Sequence, residues 1–322
     1  MCAVPDSALI TNLFIGRYKA QIVRLAIELD IFSSLGDGAQ DVASLAGRSG
    51  CHPAGLRLLL DYLSSLGLVT RGEDGYTLSA TGAFYFVPGR SSYLKEWLLS
   101  ETDPHIWQRI ARAVQDGHPA HNPLPFASEA WMSIYVQGQL ANILETWGTA
   151  GIDPQRLRGG RILDLASGCG VKTLALALTD PSLHVTLVDS AEVLAAAEYV
   201  IDKFNLAGQA RLLAGDALTT PLGSQAFELI FVGQITYYWT EAQNRALFQR
   251  LHEALVPGGL LVLENMMPDN QDSESRALYG FLLWANVGAA LHSFEQYQAW
   301  LLAAGFTGIR RPSELLILAE KS

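Results

Sequence analysis

Cysteine is scarce in this chain. Three residues in 322, Cys2, Cys51 and Cys169, make an odd number without short regular spacing, which argues against a disulfide framework or a zinc cluster. Basic residues are also few, 22 Lys and Arg against 32 Asp and Glu, for a net charge of −10. A nonspecific nucleic-acid binder needs the opposite balance, so small molecules are the expected partners. Long apolar runs are missing: every apolar stretch is broken well short of the ~18 residues of a membrane helix. The N-terminus shows no basic, apolar and small-residue leader pattern. The expectation is a cytoplasmic protein without a membrane span. What is plentiful is apolar residues, 49% of the chain, enough to rule out disorder and to fill roughly two domains.

The spacing of Leu9, Leu13, Ile22, Leu25, Ala26 and Leu29, with Arg17, Lys19, Arg24 and Glu28 opposite, predicts one or two amphipathic helices ending near Asp30. A short helix capped by Asp41, a Leu-rich helix from Pro53 to Leu66 and a hairpin through Val69 and Gly75–Leu78 follow. Helix, helix and hairpin form a winged-helix pattern, which raises DNA binding as a reading. Charge opposes it. Residues 1–100 carry eight basic and nine acidic side chains, and the would-be recognition helix offers only Arg57 among Leu56, Leu58, Leu59 and Leu60.

Residues 93–158 read as a helical linker rich in aromatics, among them Trp131, Tyr135 and Trp147, which either pack in their own core or wall a pocket for a flat apolar substrate. From Gly159 to the end, short apolar runs at 161–165, 184–189, 210–213, 227–232 and 259–264 alternate with helical patterns around 172–179, 191–204 and 241–255. That alternation predicts a parallel α/β sheet with crossover helices. The expected domains are therefore 1–92, 93–158 and 159–322.

The chemistry-bearing motif is Asp164-Leu165-Ala166-Ser167-Gly168-Cys169-Gly170, which closes the first strand of this sheet and opens a helix. Small residues allow a sharp turn and close approach of a ligand to backbone N–H groups. Asp189, ending the next strand, is placed to accept hydrogen bonds from both hydroxyls of a ribose. Asp216, after Gly215, is placed to accept one from an adenine amine. Each is otherwise a helix cap or loop residue. Cys169, beside a helix N-terminus, either has a lowered thiol pKa or simply fills a small-residue position. His118 and His121 are spaced like half a metal site but lack a nearby third ligand, so no metal is expected.

The glycine-rich turn, Asp189, Gly215-Asp216 and Pro257-Gly258-Gly259, in this order, resemble the cofactor half of class I S-adenosylmethionine-dependent methyltransferases. With the N-terminal pattern and the ending Ser293–Trp300 and Ala304-Gly305-Phe306, the chain resembles the small-molecule O-methyltransferase family over nearly its whole length. The resemblance implies an α/β fold: a Rossmann-like C-terminal sheet behind an otherwise all-helical winged-helix domain that makes a homodimer. It implies S-adenosyl-L-methionine as cofactor, held by Ala166, Ser167, Gly168, Asp189, Asp216, Ala217 and Gln234. It places Trp131, Tyr135, Tyr238, Trp284 and Asn286 along a small-molecule substrate.

One departure matters. Where the family reads Leu-His-Asp-Trp, with His as the base, this chain reads Thr236-Tyr237-Tyr238-Trp239, and the carboxylate often found before the last helix's aromatic is Gln296. A phenol near pKa ~10 is a poor base at neutral pH. Tyr237 is better suited to hydrogen-bonding a carbonyl or enol oxygen while a neighbouring carbon or nitrogen attacks, as in the bacteriochlorophyllide C-methyltransferase branch; otherwise it is a packed aromatic. His292 is the alternative base, or an exposed flanking residue. O-methylation of a hydrophobic, aromatic or polycyclic metabolite is the leading expectation by a narrow margin. C- or N-methylation follows, then a diverged non-methylating member or ligand-responsive regulator.

Overall fold

A computed structural model describes residues 8–36, 38–88, 95, 98–99, 104–120, 147–148, 151–152, 157, 159–270 and 273–322. The chain divides into two units, residues 1–104 and 105–322. In the first, α1 (Ala8–Glu28) is followed by α2 (Ile31–Leu35), α3 (Val42–Ser49) and α4 (Pro53–Ser65). The Asp41 side chain accepts the N–H groups of Ala43 and Ser44 at 2.9 and 3.0 Å, starting α3 as its position before an apolar run predicts. Leu56, Leu60 and Leu63, at i, i+4 and i+7 of α4, are buried against Ile31, Phe32, Leu35 and Leu45. Strands β1 (Val69–Gly72) and β2 (Gly75–Leu78) form the antiparallel wing, α5 (Ala80–Tyr85) follows, and Leu98 and Leu99 pack against the same core.

The predicted helix is present as α1, and its apolar stripe is covered at one end only. Ala26 and Ile27 are buried, but Leu9 and Leu13 are 69% and 63% exposed, and Ile10, Phe14 and Tyr18 are exposed beside them. The apolar stripe continues past the core of its own unit. Leu58, on the face of α4 that a DNA reader would fill with Arg or Asn, is 73% exposed.

The second unit begins within α6 (Pro104–Asp116) and builds the expected α/β sheet. In chain order it holds β3 (Arg161–Leu165), α7 (Val171–Thr179), β4 (His184–Asp189), α8 (Ala191–Lys203), β5 (Ala210–Ala214), β6 (Phe227–Gly233), α9 (Glu241–Ala254), β7 (Leu255–Glu264), α10 (Ser273–Val287), α11 (Phe294–Ala303), β8 (Phe306–Arg310) and β9 (Leu316–Lys321). The strand order is β5-β4-β3-β6-β7-β9-β8. Strands β3 to β7 run parallel, and β9 is antiparallel to β7 and β8. Alternation sends Ile162 to one buried face and Leu163 and Leu165 to the other, as a sheet covered on both sides requires. Strand β7 begins four residues before the predicted 259, because Leu255 pairs with Phe227 and the register resumes only at Leu260. Trp147 packs in this core against Phe231 at 5.4 Å rather than on a pocket wall. No helix among the described residues is long and apolar enough to cross a membrane.

The order reverses between β3 and β6, whose carboxyl ends open on one edge of the sheet. Such a switch point is where open α/β sheets bind ligands.

Candidate active site

The turn after β3 is tied to β4. The Ser167 N–H donates to the Val188 carbonyl at 3.1 Å, and the Gly168 N–H to Asp189 Oδ2 at 2.9 Å. Ala166 adopts φ +57°, in the left-handed region that costs a residue with Cβ roughly 1 kcal/mol or more. Small size alone is thus not what this position demands; it requires a left-handed backbone, which Ala adopts with strain. Gly170 is also left-handed, at φ +69°, and a Cβ there would come within 2.7 Å of a Leu187 methyl, which would have to move. For Cys169 the space-filling reading is the one that the surroundings favour. Burial pushes its thiol pKa up, outweighing the N–H groups of the helix start, so it fills space rather than reacting.

Asp189 Oδ2 accepts from Gly168 and Oδ1 from the Ser190 N–H at 2.7 Å. Each oxygen keeps acceptor capacity for one ribose hydroxyl. Burial raises its pKa, and the two backbone N–H groups partly offset that. Asp216 Oδ1 accepts the Leu218 N–H at 2.6 Å in a tight turn after β5. Beneath the β3 turn, Glu264 and Lys172 form an ion pair with only 10% and 17% of their side chains exposed. Sequence reading missed this pair. The available signals were a carboxylate closing the apolar run Leu260–Leu263 and a lysine just after the glycine turn.

Asp164 is buried, and burial raises its pKa to about 8, against the lowering effects of Thr173 and Lys172. The Thr173 hydroxyl lies 2.6 Å from Asp164 Oδ2 and 3.2 Å from the Gly170 carbonyl, with one hydrogen for two acceptors. A protonated Asp164 supplies the second hydrogen. In the unfolded chain an ordinary carboxylate ionises near pH ~4. Between that pH and about 8 the folded state holds a proton the unfolded state has released, so stability declines as pH rises through this window. Asp164→Asn, which keeps a donor and cannot titrate, is expected to flatten that decline by up to about 1.4 kcal/mol per pH unit. Denaturant melts of both proteins at several pH values in that window test it; parallel curves would refute the assignment.

At the end of β6 the chain turns through Gln234, at φ +52°, into a 3-10 turn at Thr236–Tyr238. Three elements hold this segment. Asn244 Nδ2 on α9 donates to the carbonyls of Thr236 and Trp239 at 2.9 and 3.1 Å. The hydroxyls of Thr236 and Tyr297 on α11 are 2.6 Å apart, and the Ala290 N–H donates to the Tyr237 carbonyl at 3.0 Å. His292 Nε2 lies 3.3 Å from the Trp239 carbonyl, which can only accept, so this nitrogen carries the proton. Its ring is packed edge-on against Trp300 at 4.9 Å, and burial lowers its pKa. His292 is thus half-buried, not an exposed flanking residue.

Tyr237 itself is 5% exposed. Its ring sits 4.9 Å from that of Tyr238, whose pKa burial raises to about 12 despite the hydrogen bond from Tyr237. The structure therefore brings Tyr237, Tyr238 and His292 to one segment. Trp284 on α10 is 36% exposed, while the amide of Asn286 donates to its own helix at the Leu282 carbonyl, 2.8 Å away. Trp131, Tyr135 and His121 lie outside the described residues.

The arrangement suits a cationic adenosyl ligand. With Asp164 neutral and Glu264 paired with Lys172, Asp189 leaves one net negative charge under the turn, which favours a sulfonium. The amide oxygen of Gln234 is buried without a partner among the described residues, an acceptor that an ammonium group would satisfy. Comparison with known proteins agrees. Residues 162–259 match the model of a methyltransferase domain, and residues 11–88 that of an O-methyltransferase dimerisation domain. The chain belongs to the S-adenosylmethionine-dependent methyltransferases.

The methyltransferase is 26% identical over 317 residues to a 3-hydroxy-5-methyl-1-naphthoate 3-O-methyltransferase of Streptomyces sahachiroi, covering 94% of this chain and 90% of that enzyme. It is 28% identical over 319 residues to the tetracenomycin polyketide synthesis 8-O-methyltransferase of Streptomyces glaucescens, covering 94% and 91%. Human N-acetylserotonin methyltransferase, solved with SAM, superposes over the full length of both chains with a TM-score of 0.72 and 22% identity. The cofactor is S-adenosyl-L-methionine, which supplies an electrophilic methyl group on a positively charged sulfur. The dimerisation-domain match supports a homodimer.

Proposed function

We propose that this methyltransferase O-methylates an acidic hydroxyl on an aromatic or polycyclic small molecule, one that arrives largely ionised. The carrying observation is the segment Thr236–Trp239, where the place of the family's histidine base is taken by Tyr237. With no proton acceptor at that place, alignment of nucleophile and methyl group must supply most of the rate. An acceptor that has already lost its proton needs nothing more. In this reading Ala166, Ser167, Gly168 and Gln234 hold the methionyl part, Asp189 the ribose, and Asp216 with Ala217 the adenine. Tyr237 exchanges its hydrogen bond to Tyr238 for one to the acceptor oxygen, and Tyr238, Trp284, Asn286, Trp131 and Tyr135 border the substrate. His292 steadies the segment that carries Tyr237. In this reading residues 1–92 serve dimerisation through the apolar stripe of α1 rather than binding nucleic acid, residues 93–158 border the substrate and residues 159–322 hold the cofactor.

The test is a screen of phenolic, enolic and tetrapyrrole acceptors with carbon-13 methyl-labelled cofactor, read by NMR for the atom that carries the label. Among productive acceptors, the inflection of kcat/KM with pH is expected to follow each acceptor's own pKa. A fixed inflection below the ordinary imidazole value of ~6.5, the direction in which burial moves His292, would instead place that histidine in the chemistry as the base. Label on carbon would favour the second reading, in which a neutral Tyr237 binds an enol oxygen while the adjacent carbon attacks.

A further inference from the structure

The loop after β5 is gripped from α9 by one side chain. Arg250 Nη1 donates to the carbonyls of Ala217, at 3.1 Å, and Leu218, and its Nη2 donates to the carbonyl of Thr220. A planar guanidinium with donors in a fixed fork collects these three carbonyls on two nitrogens, a spread that the single nitrogen of an ammonium does not match.

The consequence follows from peptide geometry. In a trans peptide the C=O and the next N–H point in opposite directions. Turning the carbonyls of Ala217 and Leu218 toward Arg250 therefore turns the N–H groups of Leu218 and Thr219 away from it, onto Asp216. There the Leu218 N–H meets Asp216 Oδ1 at 2.6 Å, and the N–H groups of Thr219 and Thr220 meet the Asp216 carbonyl at 3.1 and 2.8 Å. With Oδ1 tied into the turn, the direction of Oδ2 is set. Gly215 joins the same unit: its N–H donates to the Asp189 carbonyl at 2.9 Å, and a Cβ on it would collide with Thr220 Oγ1. A grip on Thr220 is thus also a grip on the peptide beside Asp189.

We propose that Arg250 is a positioning residue for adenine recognition. It acts through the Asp216 turn without touching the cofactor, and it sets how strictly the site demands an exocyclic amine. The inference rests on the reading that Asp216 accepts a hydrogen bond from that amine.

Two probes separate the possibilities: S-adenosylhomocysteine and S-inosylhomocysteine, which carries a carbonyl oxygen where the amine was. Calorimetric titration of the full-length wild type is expected to show a preference of about tenfold or more for the adenosyl compound. Arg250→Met is expected to weaken adenosyl binding about tenfold and to shrink the preference to within about threefold, with Arg250→Lys in between. A merely structural arginine would lower the melting temperature and leave the preference of the folded protein intact, and that result overturns the proposal. If Arg250→Met yields no folded protein, the preference of Arg250→Lys decides in the same way. Asp216→Asn is measured alongside. An unchanged preference there removes the reading of Asp216; a collapsed preference there, with Arg250→Met like wild type, removes only the role of Arg250.

Discussion

Asp189→Ala is expected to abolish measurable binding of S-adenosylmethionine and S-adenosylhomocysteine. The substitution deletes two things at once: the acceptors for a ribose diol, and the brace that holds the Gly168 and Ser190 N–H groups at 2.9 and 2.7 Å. Hydrogen bonds to a charged group contribute about 1.5–3 kcal/mol each, so losing two corresponds to roughly a hundredfold or more in affinity. Asp189→Asn, which keeps one acceptor for Gly168, falls between. Calorimetric titration checks this, and an alanine variant that binds within about threefold of wild type would sink the ribose assignment. The effect carries a pH signature. Burial raises the pKa of this carboxylate, and only its ionised form accepts both hydroxyls. Affinity should therefore fall on acidification at a higher pH than for an ordinary aspartate.

Tyr237→Phe is expected to leave cofactor affinity unchanged and to lower kcat about ten- to a hundredfold on the acceptor that the screen identifies. The segment around it is held by Asn244, Tyr297, His292 and the Ala290 N–H, and every one of those bonds reaches a group other than the Tyr237 hydroxyl. Removing that hydroxyl should therefore alter the chemistry without displacing the turn. The tyrosine's own hydrogen bond to Tyr238 is lost, which places a small stability cost of about 1 kcal/mol on the variant. Full turnover by Tyr237→Phe would remove the hydroxyl from the mechanism and leave a packed aromatic.

Much of the fold was legible because it follows from short-range rules. The cap at Asp41, the Leu56, Leu60 and Leu63 stripe, and the alternation of strands and helices from Gly159 onward are local patterns with few structural solutions. What local patterns left open has a common cause. Leu9 and Leu13 have helical apolar spacing whether or not anything covers them, so periodicity cannot say which partner takes a stripe. A start of β7 at Leu255 depends on pairing with Phe227, far away in sequence. The thiol of Cys169 responds to burial that its position before a helix does not reveal.

The sequence by itself determined the fold class and the order of the turn, Asp189 and Asp216, because these rest on residue type and spacing along single elements; the cofactor came with the family that this order resembles. Only the tertiary structure decided what surrounds them. Glu264 with Lys172, Asp164 as a neutral acid, Arg250 on the Asp216 turn and His292 on the Trp239 carbonyl are pairings between elements 9 to 92 positions apart in the chain. Their chemistry is set by distance and burial in space, and neither quantity is a property of any local stretch of sequence.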